Sequence, residues 1–302
     1  MRANGAGTPA ARPGALAALA AALVCAMAPT WFVLEQLWLG AALGAAGLAV
    51  AALAGRPGPH RESAGGAGSR PAEGDSGPVD AAGPSGASPA RTPSLLRDLS
   101  LIAVGLGIIR LIPLAAELDD AAMLRFALAL GGAVAVPYLV SRLVYRDRAI
   151  RFPWAGGGRW RVPHYAWLLG VVALAALILP WYFISSGVYR NWPVVDSPDL
   201  IARLFLGVGA VGIWDELFFI CTVFALLLRH FPVWLANALQ AVVFVSFLWE
   251  LGYRAWGPLL TIPFALAQGL IFLRTRSLAY VVTVHLLFDA VVFAVIVYAH
   301  NR

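Results

Sequence analysis

The chain has 302 residues, of which 60% are hydrophobic and 13% charged, and its net charge of +6 comes from arginine alone because it contains no lysine. With a mean hydropathy of +0.77, it has too little polar surface to cover a soluble domain. Nucleic-acid binding is a poor reading of the charge, because the arginines sit in loops between apolar runs rather than on one folded face.

Several runs exceed the ~20 apolar residues needed to cross the hydrocarbon core, which predicts an all-α, polytopic transmembrane helical bundle of about nine spans. The Ala/Gly/Pro-rich, lysine-free composition suggests a GC-rich bacterial genome and a plasma-membrane location. Two Ala/Leu-rich spans, 14–30 and 36–54, make an N-terminal pair within 1–54. The first has the look of a signal peptide, with Ala26-Met27-Ala28 at its end, but Pro29 follows that site directly and a second span follows at once. An uncleaved helix is the better reading. Residues 55–94 are rich in Gly, Pro and Ser, lack the apolar content to form a core, and read as a disordered linker. The bundle proper, 95–302, follows with spans near 97–117, 121–144, 165–186, 200–229, 232–252, 257–273 and 277–299. Cys25 and Cys221 lie in apolar segments without the spacing of a disulfide framework or a Cys-type zinc site and read as buried small hydrophobes.

Between Arg142 and Arg161 the chain holds Arg142, Arg146, Arg148, Arg151, Arg159 and Arg161 against the single acid Asp147. Cytoplasmic loops carry such an excess. Tracing outward from this loop puts the N-terminus, the linker, Arg229 and the Arg274/Arg276 turn on the cytoplasmic side. Glu117-Leu118-Asp119-Asp120 and the loop with Asp196 and Asp199 fall outside; Arg254 and Arg302 are exceptions. Trp31, Trp38, Trp160, Trp181, Trp192 and Trp256 lie mainly near span ends and fit an interfacial aromatic belt.

Charged residues inside a span normally face the protein interior and mark function. Asp215 and Glu216 lie about halfway along the 200–229 span. As neighbours on a helix they point about 100° apart, so one carboxylate is free to act while the other orients a neighbour. His285 and Asp289, four residues apart, share one helical face. That spacing either fixes the imidazole tautomer for base or ligand work, or satisfies the two polar groups mutually. Glu250 closes the 232–252 span, where it is either a site residue or an ordinary interfacial acid. Arg110 interrupts the third span and either snorkels to the interface or pairs with a buried acid. His60, His164, His230 and His300 sit in loops or at span ends and are not expected as ligands.

The order of these residues resembles the CPBP family, the CAAX-protease and bacteriocin-processing (Abi) intramembrane proteins. Its pattern is Glu-Glu-x-x-x-Arg, then Phe-x-x-x-His, then His-x-x-x-Asn or Asp. Asp215-Glu216 matches the first pair conservatively, and Gly269-Leu270-Ile271 through Arg274-Thr275-Arg276-Ser277-Leu278 to His285 and Asp289 resembles the third motif and its approach. The likeness covers roughly 165–299. Ile220 stands where the pattern has Arg, and Glu250, three residues after Phe247, takes the place of the second-motif His.

The resemblance implies an intramembrane endopeptidase of metalloendopeptidase type that hydrolyses membrane-associated or CAAX-type peptides. Glu216 would activate water, His285 would orient it or bind a metal, Asp289 would hold the surroundings, and Glu250 would fill the missing His position. A divalent metal such as zinc would draw on Glu216, Glu250, His285 and Asp289. Catalytic zinc favours three ligands dominated by His, so an oxygen-rich set with one His points to harder ions or to no metal. The expected partners are membrane lipid and a hydrophobic peptide. The alternatives are an inactive family member acting as a membrane immunity or binding protein, or a proton- or ion-coupled transporter. All the catalytic readings require the sixth and ninth helices to bring their acids and imidazole together.

Overall fold

The computed structural model describes residues 14–55 and 93–302. These fold into nine long helices with no strand among the described residues: α1 Ala15–Phe32, α2 Leu37–Ala54, α3 Leu95–Ile109, α4 Asp120–Val144, α5 Val162–Ser185, α6 Pro198–Leu227, α7 Val233–Leu251, α8 Pro258–Thr275 and α9 Leu278–His300. A helix satisfies its backbone hydrogen bonds within the segment, which lipid demands. Their starts follow from local sequence. Asp119 accepts from the Ala122 N–H at 3.0 Å and Ser277 from that of Tyr280 at 3.3 Å, while Pro198 and Pro258 occupy first turns, where proline forfeits no helical bond.

Eight of these helices are long and apolar enough to cross a membrane. The predicted span at 97–117 is shorter than expected. α3 has 15 residues, about 22 Å at 1.5 Å each, and ends before Arg110. Pro113 lies just beyond and disfavours helical backbone in the residue preceding it, so the chain to α4 runs irregularly. The linker predicted at 55–94 falls almost wholly outside the described residues.

α1 and α2 form a close hairpin. Gly40, Gly44 and Gly47 of α2 lie against Trp31, Met27 and Val24 of α1, with no room for a Cβ, a small-residue interface of the kind that lets membrane helices approach. α1 also packs on α7, where Phe32 meets Phe247 at 6.4 Å. α6 is the hub, touching α4, α7, α8 and α9. Trp214 locks it in place: its indole N–H donates to the Leu130 carbonyl of α4 at 2.6 Å, and its ring stacks on Phe218 and touches Phe247. Of the expected belt, Trp38 and Trp181 are exposed, whereas Trp31 and Trp192 are buried in the core. Cys25 and Cys221 are free and buried, as small hydrophobes.

The loops gather at two ends of unlike charge. At one, Arg229 bridges Asp98 at 2.9 Å and Asp147 at 2.7 Å, and His230 meets Asp98 at 2.7 Å. The 153–154 carbonyls accept from the start of α9, which brings the arginine-rich 142–161 segment beside Arg274 and Arg276. At the other end, Arg203 joins Asp199, Asp120 and the Leu118 carbonyl, Asn191 donates to the Gly252 carbonyl, and Tyr182 to that of Arg254. Glu117, Asp119, Asp120, Asp196 and Asp199 collect there.

Asp98 is buried, with 3% of its side chain exposed, so removing Arg229 leaves the carboxylate with only the His230 ring as partner. Arg229→Met is expected to destabilise the protein by about 3 kcal/mol, and adding Asp98→Asn should recover most of the loss, read as thermal unfolding in detergent.

Candidate functional site

The polar residues of α6 and α9 converge. The last α-helical residue of α6 is Asp215, and from Glu216 to Phe224 the helix widens into a π-helix, a distortion that recurs at functional sites. Thr222 follows the wider spacing, its hydroxyl donating to the Leu217 carbonyl five residues back at 3.0 Å. The two acids therefore leave α6 in different directions. Asp215 faces a cavity of about 460 Å³ whose wall also holds His285 and Asp289. Glu216 turns behind the imidazole, with its Oε1 2.7 Å from His285 Nδ1. On the cavity side, His285 Nε2 stands 3.5 Å from Asp215 Oδ2 and 3.9 Å from Asp289 Oδ2. All four side chains are at least nine-tenths buried.

The tautomer can be argued from Gln268 of α8. Its Nε2 donates both to the Val281 carbonyl at 3.1 Å and to Glu216 Oε1 at 2.7 Å, which fixes the amide orientation because a carbonyl only accepts. Oε1 is thus an acceptor, so His285 carries a proton on Nδ1 and donates it to Glu216. This is the carboxylate–histidine arrangement that orients a ring and directs its other nitrogen outward. The ring is held edge-on by Phe264 at 5.0 Å and Phe244 at 6.1 Å. Gly212, one turn before Asp215, abuts the Asp289 carboxylate so closely that no Cβ fits between them.

Asp215, Glu216, His285 and Asp289 thus come together, and Glu250 does not join them. Its carboxylate lies 3.7 Å from Arg110, outside the cavity lining, so of the two readings of Arg110 the pairing is realised, with an acid at the helix ends. Leu251 of α7 lines the cavity, and so does Leu248. The latter follows Phe244 by four, the spacing of the second motif, and so occupies the His position that the sequence reading gave to Glu250. Ile220, at the missing Arg, borders a small closed space with Glu216, Gln240 and Gln268 rather than the cavity. An arginine there would lie near Glu216; here the neutral Gln268 amide serves that carboxylate instead.

Gln268, Asn237 and Gln240 form a polar layer that the sequence reading passed over. Gln240 donates to Asn237 Oδ1 and the Ala265 carbonyl, and Asn237 to the Leu266 carbonyl, binding α7 to α8. The available signal was an amide pair three apart on one face of an apolar helix. Tyr253, beyond the end of α7, also lines the cavity, and burial, followed by the nearby Asp289 and Asp215, holds its hydroxyl well above the ordinary tyrosine range. It remains a proton donor.

No group of three or more His, Cys, Asp or Glu among the described residues is disposed to hold a metal ion. Of the set Glu216, Glu250, His285 and Asp289, Glu250 is engaged by Arg110, and Glu216 already takes the His285 Nδ1–H and Gln268. That donor set does not fit zinc, which wants three converging ligands and an open position.

Residues 197–291 match the family model described as Rce1-like, type II CAAX prenyl endopeptidase, consistent with the CPBP resemblance carried by the motifs. The match runs from the start of α6 through Asp289 and leaves α1–α5 outside. No curated protein and no solved structure is significantly similar to the chain.

Because Gln268 serves both Glu216 and the Val281 carbonyl, Gln268→Leu is expected to cost about 1–3 kcal/mol in thermal unfolding, the penalty for stranding buried acceptors. Gln240→Leu, which does not touch Glu216, should leave the chemical shifts of His285 unchanged where Gln268→Leu moves them.

Proposed function

We propose that the chain is an intramembrane endopeptidase of the Rce1-like kind that hydrolyses peptide bonds of membrane-associated substrates with a water activated by side chains. The observation that supports this most is the placement of Asp215, His285 and Asp289 on one wall of an apolar cavity, with Glu216 behind the imidazole at 2.7 Å.

In this reading Asp215 is the base. Water between its carboxylate and His285 Nε2 gives up a proton to Asp215 as its oxygen attacks the scissile carbonyl. A carboxylate in a water-poor pocket suits this work, provided it lies within reach of the proton it takes. The proton then passes to the departing amine through His285 and Asp289, which border the same space. Glu216 is a positioning residue, holding the ring through Nδ1. The negative charge developing on the carbonyl oxygen needs a donor, and Tyr253 supplies its hydroxyl. This exchanges the roles of the acidic pair relative to the motif reading, in which Glu216 was the base.

A second reading draws on Ile220 and Leu248. With aliphatic residues at two positions where the family pattern has Arg and His, the cavity would bind a membrane partner without cutting it. Transport finds no comparable support in the site.

Cleavage of hydrophobic peptides by the purified protein in detergent separates these readings. Asp215→Asn should lower kcat by about 10²–10⁴-fold, the contribution of a general base, with unfolding unchanged. Glu216→Gln should lower it by about 10–100-fold, as for a group acting through its neighbour. The reverse order would restore Glu216 as base, and a wild type that binds peptide without cutting would establish the binding reading.

Tyr253→Phe removes only the hydroxyl. It is expected to reduce kcat by about 10²–10³-fold with little change in KM, the cost of one lost oxyanion donor.

A further inference from the structure

We infer that a sodium-sized cation, stripped of its water, binds beside the acidic pair in a small space between α6, α7 and α8. Nothing in this depends on peptide cleavage.

Asp215 and Glu216 of α6, Gln240 of α7 and Gln268 of α8 line that space together, and none of the four is more than 2% exposed. Each has one buried oxygen without a hydrogen-bond partner: Asp215 Oδ1, Glu216 Oε2, Gln240 Oε1 and Gln268 Oε1. The amides cannot turn over to relieve this. Gln268 Nε2 donates to the Val281 carbonyl at 3.1 Å and Gln240 Nε2 to the Ala265 carbonyl at 2.9 Å, and a carbonyl only accepts. Both amide nitrogens are thus spent elsewhere and both amide oxygens are left over. The rest of the lining, which includes Ile220 and Phe244, brings no side-chain donor among the described residues. Buried acceptors without a donor are rare in folded proteins, and four around one space call for a shared positive partner.

The space has no room for a water molecule, which excludes water as the missing donor and also selects among cations. Carboxylate and amide oxygens suit hard ions rather than zinc. Magnesium holds on to several of its waters, and calcium seeks roughly six to eight oxygens, more than the four side chains leave free. Potassium is about as large as a water molecule, whereas bare sodium is smaller.

Such an ion leaves the imidazole contacts in place. Glu216 Oε1 serves the ring at 2.7 Å, and Asp215 Oδ2 is the oxygen 3.5 Å from Nε2; the cation takes the other oxygen of each acid. Its charge offsets two adjacent carboxylates in an apolar bundle, where buried charges are paired or coordinate metals. Ile220 borders the same space, at the position where the family pattern has Arg. The guanidinium that an arginine would have offered these oxygens is therefore missing from this chain, and an ion from solution takes its place.

The test follows thermal unfolding of the full chain in detergent, with sodium exchanged for choline at constant ionic strength. The midpoint should rise with sodium, by about 2–4 °C for each tenfold increase beyond saturation, and much less with potassium or magnesium. Radioactive sodium should bind at one ion per chain. Gln240→Leu removes one of the four oxygens and should need about tenfold more sodium for the same rise. Asn237→Ala loosens the same polar layer without bordering the space, and should keep the response of the wild type. Ile220→Lys brings its own ammonium to these oxygens, so its midpoint should be the same in sodium as in choline; if that variant does not fold, the comparison of Gln240→Leu with Asn237→Ala decides. A wild-type midpoint indifferent to sodium, an equal rise with potassium, or an unaltered response in Gln240→Leu would overturn the inference.

Discussion

Four ionisable side chains buried at the centre of an apolar bundle set the terms for the rest of this structure. A charged group in the middle of a spanning helix costs about 2.5–3.5 kcal/mol on insertion scales, so Asp215, Glu216, His285 and Asp289 are tolerable only gathered inside the bundle, where His285 joins Glu216 by a hydrogen bond and stands 3.5 Å from Asp215 and 3.9 Å from Asp289. That need fixes the register of α6 against α9. It also accounts for Gly212, since any side chain there would occupy the place of the Asp289 carboxylate, and for Gln268, whose amide reaches from α8 to the acid held behind the imidazole.

The fold was legible because lipid leaves so few choices. Apolar runs long enough to span had to be helices, and the ionisable residues interrupting them had to turn inward. His285 and Asp289 were readable as partners from a spacing of four. What failed was the assignment of faces. Glu250 attracted the second-motif role because it is polar, yet helical geometry puts Leu248, four residues after Phe244, on the cavity side. A linear pattern that accepts a spacing of three for four rotates the residue away by about 100°. The different directions in which Asp215 and Glu216 leave α6 were equally hidden. Adjacent acids are interchangeable in a motif, and the start of the π-helical segment at Glu216 carries no sequence signature. Gln268 was missed because an uncharged amide in an apolar run gives little contrast.

The two aliphatic replacements have different weights once their surroundings are known. Ile220 lies behind Glu216, away from the cavity, so an arginine there would have acted on the acid that orients the ring and not on a substrate. Its loss changes how Glu216 is held, and Gln268 compensates. Leu248 stands in the cavity wall itself, and its substitution for histidine removes a polar contact from the space where a peptide bond would sit. In the proposed reading the oxyanion donor that remains is the Tyr253 hydroxyl, because His285, with its proton on Nδ1, presents an acceptor at Nε2.

A cavity whose floor is polar and whose sides are almost wholly aliphatic and aromatic selects by depth and shape. An apolar segment gains roughly 0.8 kcal/mol per methylene when it leaves water for such walls, but gains little when it comes from lipid, which is equally apolar. Binding from the bilayer must then rest on packing and on the one place where the substrate backbone meets hydrogen-bonding groups. That place is the floor formed by Asp215, His285 and Asp289. A peptide bond exposed in a locally unwound stretch has unsatisfied N–H and C=O groups, and in lipid these have nowhere else to go. If the chain is the endopeptidase proposed above, the same constraint that gathers the protein's own acids would draw an unwound peptide backbone toward them, and recognition and chemistry would coincide at one point in the bundle.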